Sequence, residues 1–141
     1  MAVFKENGDQ FQMNHVLVDT SAWIDFLRSG TGVLGDIVAR SIEQGRAVVC
    51  GVVVAELLQG AKGLKEQKQL QLIFETVGRL ETKESDWDEA GKLLQNLRVK
   101  GITVPLTDAI IAVLASRSGS TLLTVEKHFQ HLPATLEQIS D

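Results

Sequence analysis

The sequence predicts an α/β fold with a central, mostly parallel sheet covered on both faces by helices. Two observations carry this. HVLV, AVVC and TLLT are apolar runs too short to be helices, and the longer segments between them repeat their apolar residues at helical spacing. Strands this short and this continuously apolar are buried on both faces, which parallel strands joined by helices achieve.

Taken in order, residues 1–14 (MAVFKENGDQFQMN) show neither period and are expected as a loose N-terminal extension, with 15–141 as one domain. His15–Val18 is the first strand. Trp23, Phe26 and Leu27 mark a helix ending near Ser29-Gly30, and Leu34, Ile37, Val38 and Ile42 mark a second, stopped by Gly45. Ala47–Cys50 is the next strand. Val52–Gln59 reads as a helix because Ala55 to Gln59 are strong helix formers and Gly60 ends it. Leu70, Ile73, Phe74 and Val77 define a further helix. Ser85 with Asp88 three residues on resembles a capping box for a helix carrying Trp87, Ala90, Leu93, Leu94 and Leu97, with Gly101 as its stop. Ile102–Leu106 is expected as a strand around Pro105, Thr107 as the cap of the Ala109–Ala115 helix, Thr121–Thr124 as the last clear strand, and Leu136–Ile139 as a frayed edge.

Composition excludes several classes. The 141 residues suffice for one core without disulfides, and no apolar stretch approaches the roughly 20 residues of a membrane helix. Cys50 is the sole cysteine and the start shows no signal-peptide pattern, so cytoplasm is the expected compartment. Fourteen basic against eighteen acidic residues, a net charge of −4, argue against indiscriminate nucleic-acid binding. They do not exclude nucleic acid as a substrate, because acids gathered in one site can be neutralised by a divalent cation.

The positions of those acids are informative, since ligands bind outside the carboxyl ends of parallel strands. Asp19 closes the first strand, Glu56 sits in the helix after Ala47–Cys50, Asp108 opens the helix after Ile102–Leu106, and Glu126 follows Thr124 by two residues. Singly, Asp19 and Asp108 read as helix caps, Glu56 as a solvated helix residue and Glu126 as a loop acid. Together they predict a shared site for Mg²⁺ or Mn²⁺, hard cations that take several oxygen ligands.

VLVDTSAWIDFLR, VVVAELLQGAK, LTDAIIAVLA and LLTVEKHFQHL, in this order and spacing, resemble the PIN-domain ribonucleases of the VapC toxin type. Each motif alone is weak; the series of four, from about Val16 to Leu132, is specific. The resemblance implies an α/β/α sandwich and a metal-dependent ribonuclease acting through a metal-activated water. It also implies Mg²⁺ or Mn²⁺ held by acids, RNA (a tRNA or other structured RNA) as substrate, a VapB-type antitoxin and a homodimer. Asp19, Glu56 and Asp108 match the family's acidic positions, and Ser21 and Thr107 its orienting hydroxyls. Glu126 stands where the family most often has aspartate, a carboxylate on a longer arm.

Other features read more plainly. His128 and His131 have no third ligand and read as structural or surface residues. Lys62, Lys65 and Lys68 read as a solvated helix face, with RNA phosphates as the functional alternative, and Arg28 as a contact to substrate, partner or a neighbouring acid. Trp23 and Trp87 read as core or dimer contacts. Ile37, Val38, Leu57 and Leu58 are candidate antitoxin contacts set against burial in the core. Two rival functions are a catalytically weakened PIN-like binding module and a phosphoaccepting receiver domain. The receiver needs an acidic pair after the first strand, where only Asp19 stands.

Overall fold

The computed structural model describes residues 14–29 and 32–139, so the expected extension lies, Asn14 apart, outside the described residues. The chain runs β1 (Val16–Val18), α1 (Thr20–Ser29), α2 (Gly32–Glu43), β2 (Ala47–Cys50), α3 (Gly51–Gly60), α4 (Gly63–Thr76), β3 (Gly78–Leu80), α5 (Glu84–Val99), α6 (Leu106–Ser118) and β4 (Thr121–Leu123). A short 3-10 helix, Lys127–His131, follows. The strands are all parallel, in the order β3-β2-β1-β4.

That order positions everything else. From β1 the chain steps one way to β2 and β3, then crosses back to place β4 on the other side of β1. Right-handed crossovers therefore put α1 to α4 on one face and α5 and α6 on the other. The packing agrees: α1 meets α2 and α3, α3 meets α4, and α5 lies along α6. Both central strands are buried throughout, and Ala109–Ala115 of α6 is buried over two full turns. A helix apolar all round is stable only inside such a layer. Trp23 is fully buried, edge-on to Phe26 at 6.1 Å between ring centroids.

Several expectations are corrected. Ile102–Leu106 is no strand: residues 102–105 are irregular and α6 already starts at Leu106. Pro105 lacks the N–H a ladder needs and fixes an extended backbone (φ −64°, ψ 147°) that caps α6, so Thr107 lies inside the helix instead of capping it. β3 was not expected. It is three residues long with exposed Arg79 between buried Gly78 and Leu80, too short to show a period, and Val77, assigned to the helix, is the turn leading into it. α5 starts one residue before Ser85, and its reaching acid is Asp86, whose Oδ2 accepts the Lys83 backbone N–H at 2.8 Å. Trp87 is 44% exposed and not core, whereas Val38 and Leu57 are core residues with no face for a partner. The frayed edge reduces to one parallel bridge, Leu136 to Leu122. Gly101, at φ +80°, ends α5 as expected, in a conformation costly for any side chain. Among the described residues no helix is long and apolar enough to cross a membrane.

Candidate active site

The candidate site lies where, among the described residues, neighbouring strands send their chains opposite ways, between β1 and β4. Loops diverging there leave a crevice at the carboxyl edge. Val18 pairs with Leu123, so the next residues on each strand, Asp19 and Thr124, face each other. The Asp19 backbone N–H donates to the Leu123 carbonyl at 2.9 Å, extending the ladder by one residue.

Asp19 is 3% exposed, and a carboxylate that deep needs donors. It has two hydroxyls on Oδ2: Thr124 Oγ1 donates at 2.7 Å and Ser21 Oγ at 2.9 Å. Thr124 Oγ1 in turn accepts the Glu126 N–H at 3.0 Å, and Ser21 Oγ accepts the Val125 N–H at 3.3 Å. The two loops are thus tied across 105 residues of sequence. Next to Asp19, Thr20 Oγ1 donates to Glu56 Oε1 at 2.7 Å, fixing the α3 carboxylate to the start of α1.

Asp108 sits in the first turn of α6, where the helix dipole favours an acid. Its Oδ2 lies 2.8 Å from His128 Nδ1. Burial raises the Asp108 carboxyl above its ordinary range; the His128 hydrogen bond opposes this, while the charges of Asp19 and Glu126 push it up further. Burial also raises the Cys50 thiol, and the fields of Asp19 and Glu56 add to this, so Cys50 is an inert core residue at the end of β2.

Asp19 and Glu126 therefore both act on Asp108 and share the Thr124 hydroxyl, and Glu56 joins through Thr20 and the field at Cys50. Thr107 makes no hydrogen bond to any of them among the described residues, and the orienting hydroxyls are Ser21, Thr124 and Thr20. Sequence reasoning missed Thr124, Thr20 and His128. Thr124 and Thr20 directly follow a strand end or its acid, and His128 lies two residues after Glu126, but nothing local pairs them with their partners. No three acids, histidines or cysteines among the described residues are drawn into a ready-made metal cage. The donors are all hard carboxylate oxygens that repel one another, which fits an oxygen-seeking divalent cation more than a soft metal.

A PIN domain family model matches residues 16–134. Ribonuclease VapC11 of Mycobacterium tuberculosis is 28% identical over 119 residues, covering 81% of this chain and 88% of the relative. Among solved structures, DNA-bound VapBC from Salmonella typhimurium superposes with a TM-score of 0.76 at 20% identity, over 89% of this chain and 98% of the other. Mycobacterium tuberculosis VapC20, described as a sarcin-ricin loop cleaving toxin, gives a TM-score of 0.63 at 17% identity, over 82% of this chain and 92% of the other.

Proposed function

The chain belongs to the PIN domain family, and from that premise we propose that it is a metal-dependent endoribonuclease, the toxin of a toxin–antitoxin pair, which hydrolyses RNA phosphodiester bonds. The observation that carries this reading is the buried Asp19 carboxylate, held by Ser21 and Thr124 at the β1/β4 crevice within the field of Asp108 and Glu126. The similarity to named VapC ribonucleases supports it. Solved VapBC complexes of the same fold support a VapB-type antitoxin as partner, and the remaining expectations, a second copy of the chain and a cytoplasmic setting, belong to this proposal.

Asp19, Asp108 and Glu126, with Glu56 beside them, are the residues that would hold Mg²⁺ or Mn²⁺. Bound there, the cation supplies an activated water and offsets charge gathering on the phosphorus oxygens. The chain's own part is to arrange charge. Ser21 and Thr124 fix the rotation of the Asp19 carboxylate, so no ordering is left to be done when a ligand arrives. His128 holds one oxygen of Asp108, and Thr20 holds one oxygen of Glu56.

Asp19→Asn removes the charge and keeps the volume. Cleavage of RNA in Mg²⁺ or Mn²⁺ should fall at least 100-fold, on the order of losing a preorganised charged group in an active site, with the fold intact by circular dichroism. Expression of the intact chain should arrest growth, the adjacent gene should relieve it, and the Asp19→Asn chain should be harmless. Full cleavage by Asp19→Asn would refute the catalytic role. A soluble chain that binds RNA without metal-dependent turnover would move the reading to a binding module.

A further inference from the structure

We infer that the groove between α1 and the α3–α4 corner is the track along which single-stranded RNA reaches the acids, its phosphates held by Arg28, Lys62 and Lys65. The inference rests on the ribonuclease reading above and adds where the strand lies outside the bond that is cut.

The groove is about 380 Å³ and has Arg28, Lys62 and Lys65 in its wall together with two acids, Glu56 and Glu66. Thr20, the residue after Asp19, holds Glu56 by a hydrogen bond, so the Glu56 end of the groove adjoins the acidic site. An acidic site poses a physical problem for a nuclease. A phosphodiester brought to Asp19, Asp108 and Glu126 meets like charge, and the chain as a whole is at −4. A bound divalent cation offsets this only locally, and the flanking phosphates need positive charge of their own. Three of the chain's fourteen basic side chains converge in this groove.

Those three charges are uncommitted. Arg46 and Arg117 are each paired with an acid, whereas among the described residues Arg28, Lys62 and Lys65 form no ion pair. The start of α4 is not the anion receptor, because Glu66 Oε1 already accepts the Lys62 N–H at 2.8 Å. The side chains alone supply the positive charge. Ile24, 37% exposed, and the half-buried Leu27 give the groove an apolar floor on which base faces can rest. A protein partner would use the same floor. Continuity with Glu56 favours the substrate, which has to pass to the acids.

The test uses the full chain carrying Asp19→Asn, so that RNA stays intact, and a short fluorescein-labelled single-stranded RNA of mixed sequence read by anisotropy. Replacing Arg28, Lys62 and Lys65 by alanine should lower the slope of log affinity against log salt by about 2, three contacts at about 0.7 each. Between 50 and 200 mM salt this is a loss of roughly 16-fold in salt sensitivity. Removing the same charge from α5 and the residue after it with Lys92→Ala, Arg98→Ala and Lys100→Ala should leave the slope alone, and Lys62→Arg with Lys65→Arg should retain it. In the active chain the groove triple should raise KM and spare kcat, since the contacts lie away from the reacting atoms. An unchanged slope, an equal fall in the α5 control, or no RNA binding by the parent chain overturns the inference. So does intact RNA binding with lost affinity for an acidic amphipathic peptide, which would assign the groove to a protein. Cleavage by the intact chain with an unchanged slope sinks the groove alone. Groove-dependent binding without cleavage by the intact chain sinks the ribonuclease reading and leaves the groove.

Discussion

Thr124→Val is the sharpest test of how the site is held together. Valine keeps the shape of threonine and deletes one oxygen, which is 2.7 Å from Asp19 Oδ2 and 3.0 Å from the Glu126 nitrogen. The first bond is to a charged, 3% exposed acceptor, the class worth about 1.5–3 kcal/mol. The second involves an exposed residue whose N–H water can satisfy, so it adds little. A net loss of about 2 kcal/mol follows, which for a chain of this size lowers Tm by about 4–8 °C. Among the described residues Asp19 then keeps only the Ser21 hydroxyl and can rotate. By the usual cost of losing a hydrogen bond behind a metal ligand, Mn²⁺ affinity should fall about 10–100-fold. Calorimetric melts and Mn²⁺ titration read the two effects separately. Thr124→Ser, which restores the oxygen, should recover the Mn²⁺ affinity even if the missing methyl lowers Tm. If the valine variant melts within about a degree of the parent and binds Mn²⁺ equally well, the hydroxyl does not orient Asp19.

Glu126→Asp should raise cleavage in Mg²⁺ more than in Mn²⁺, because Mg²⁺ is the stricter ion about octahedral geometry; Glu126→Ala with both activities unchanged places this residue outside the site. Arg117→Ala strips the 2% exposed Asp86 of two hydrogen bonds, at 2.7 and 2.9 Å. Arg117 is itself 35% exposed, which moderates the cost to about 2–3 kcal/mol, readable as a shifted urea midpoint. Burial pushes the Asp86 carboxyl up, but Arg117 and the Lys83 N–H outweigh it and leave it below its ordinary 3.8. The stability this contributes is whole above about pH 4 and is lost as the pH falls through the lower folded value, so Arg117→Ala should flatten urea midpoints in that acid window.

The acids were legible in the sequence because a charge at the end of an apolar strand contradicts its surroundings. Asp19 after VLV is the clear case, whereas Glu126 after LLTV, like Asp108 and Glu56, reads as a site acid only in the company of the others. Their partners carry no such contradiction. Thr124 is an ordinary strand residue until the parallel pairing of β1 with β4 sets it opposite Asp19, and that pairing is a property of topology. His128 likewise reads as a surface residue until the 3-10 helix folds against α6. β3 escaped notice because three residues do not establish a period. Ile102–Leu106 misled for the opposite reason: its extended, β-branched composition is real, but the sheet offers it no partner and its proline cannot form a ladder.

The tie between Asp19 and Thr124 also sets the order in which the molecule acquires its chemistry during synthesis. A ribosome releases β1 to β3 and most of the helices before β4 exists, and contacts this distant in sequence form last in folding. Until Thr121–Thr124 has emerged and inserted beside β1, Asp19 lacks its Thr124 anchor and Glu126 is absent. A nascent or truncated chain ending before that strand carries the first acids without the crevice that orders them. Such a chain can dwell beside the RNA of its own ribosome without the assembled acidic site, which is complete only once Thr124 and Glu126 have joined it.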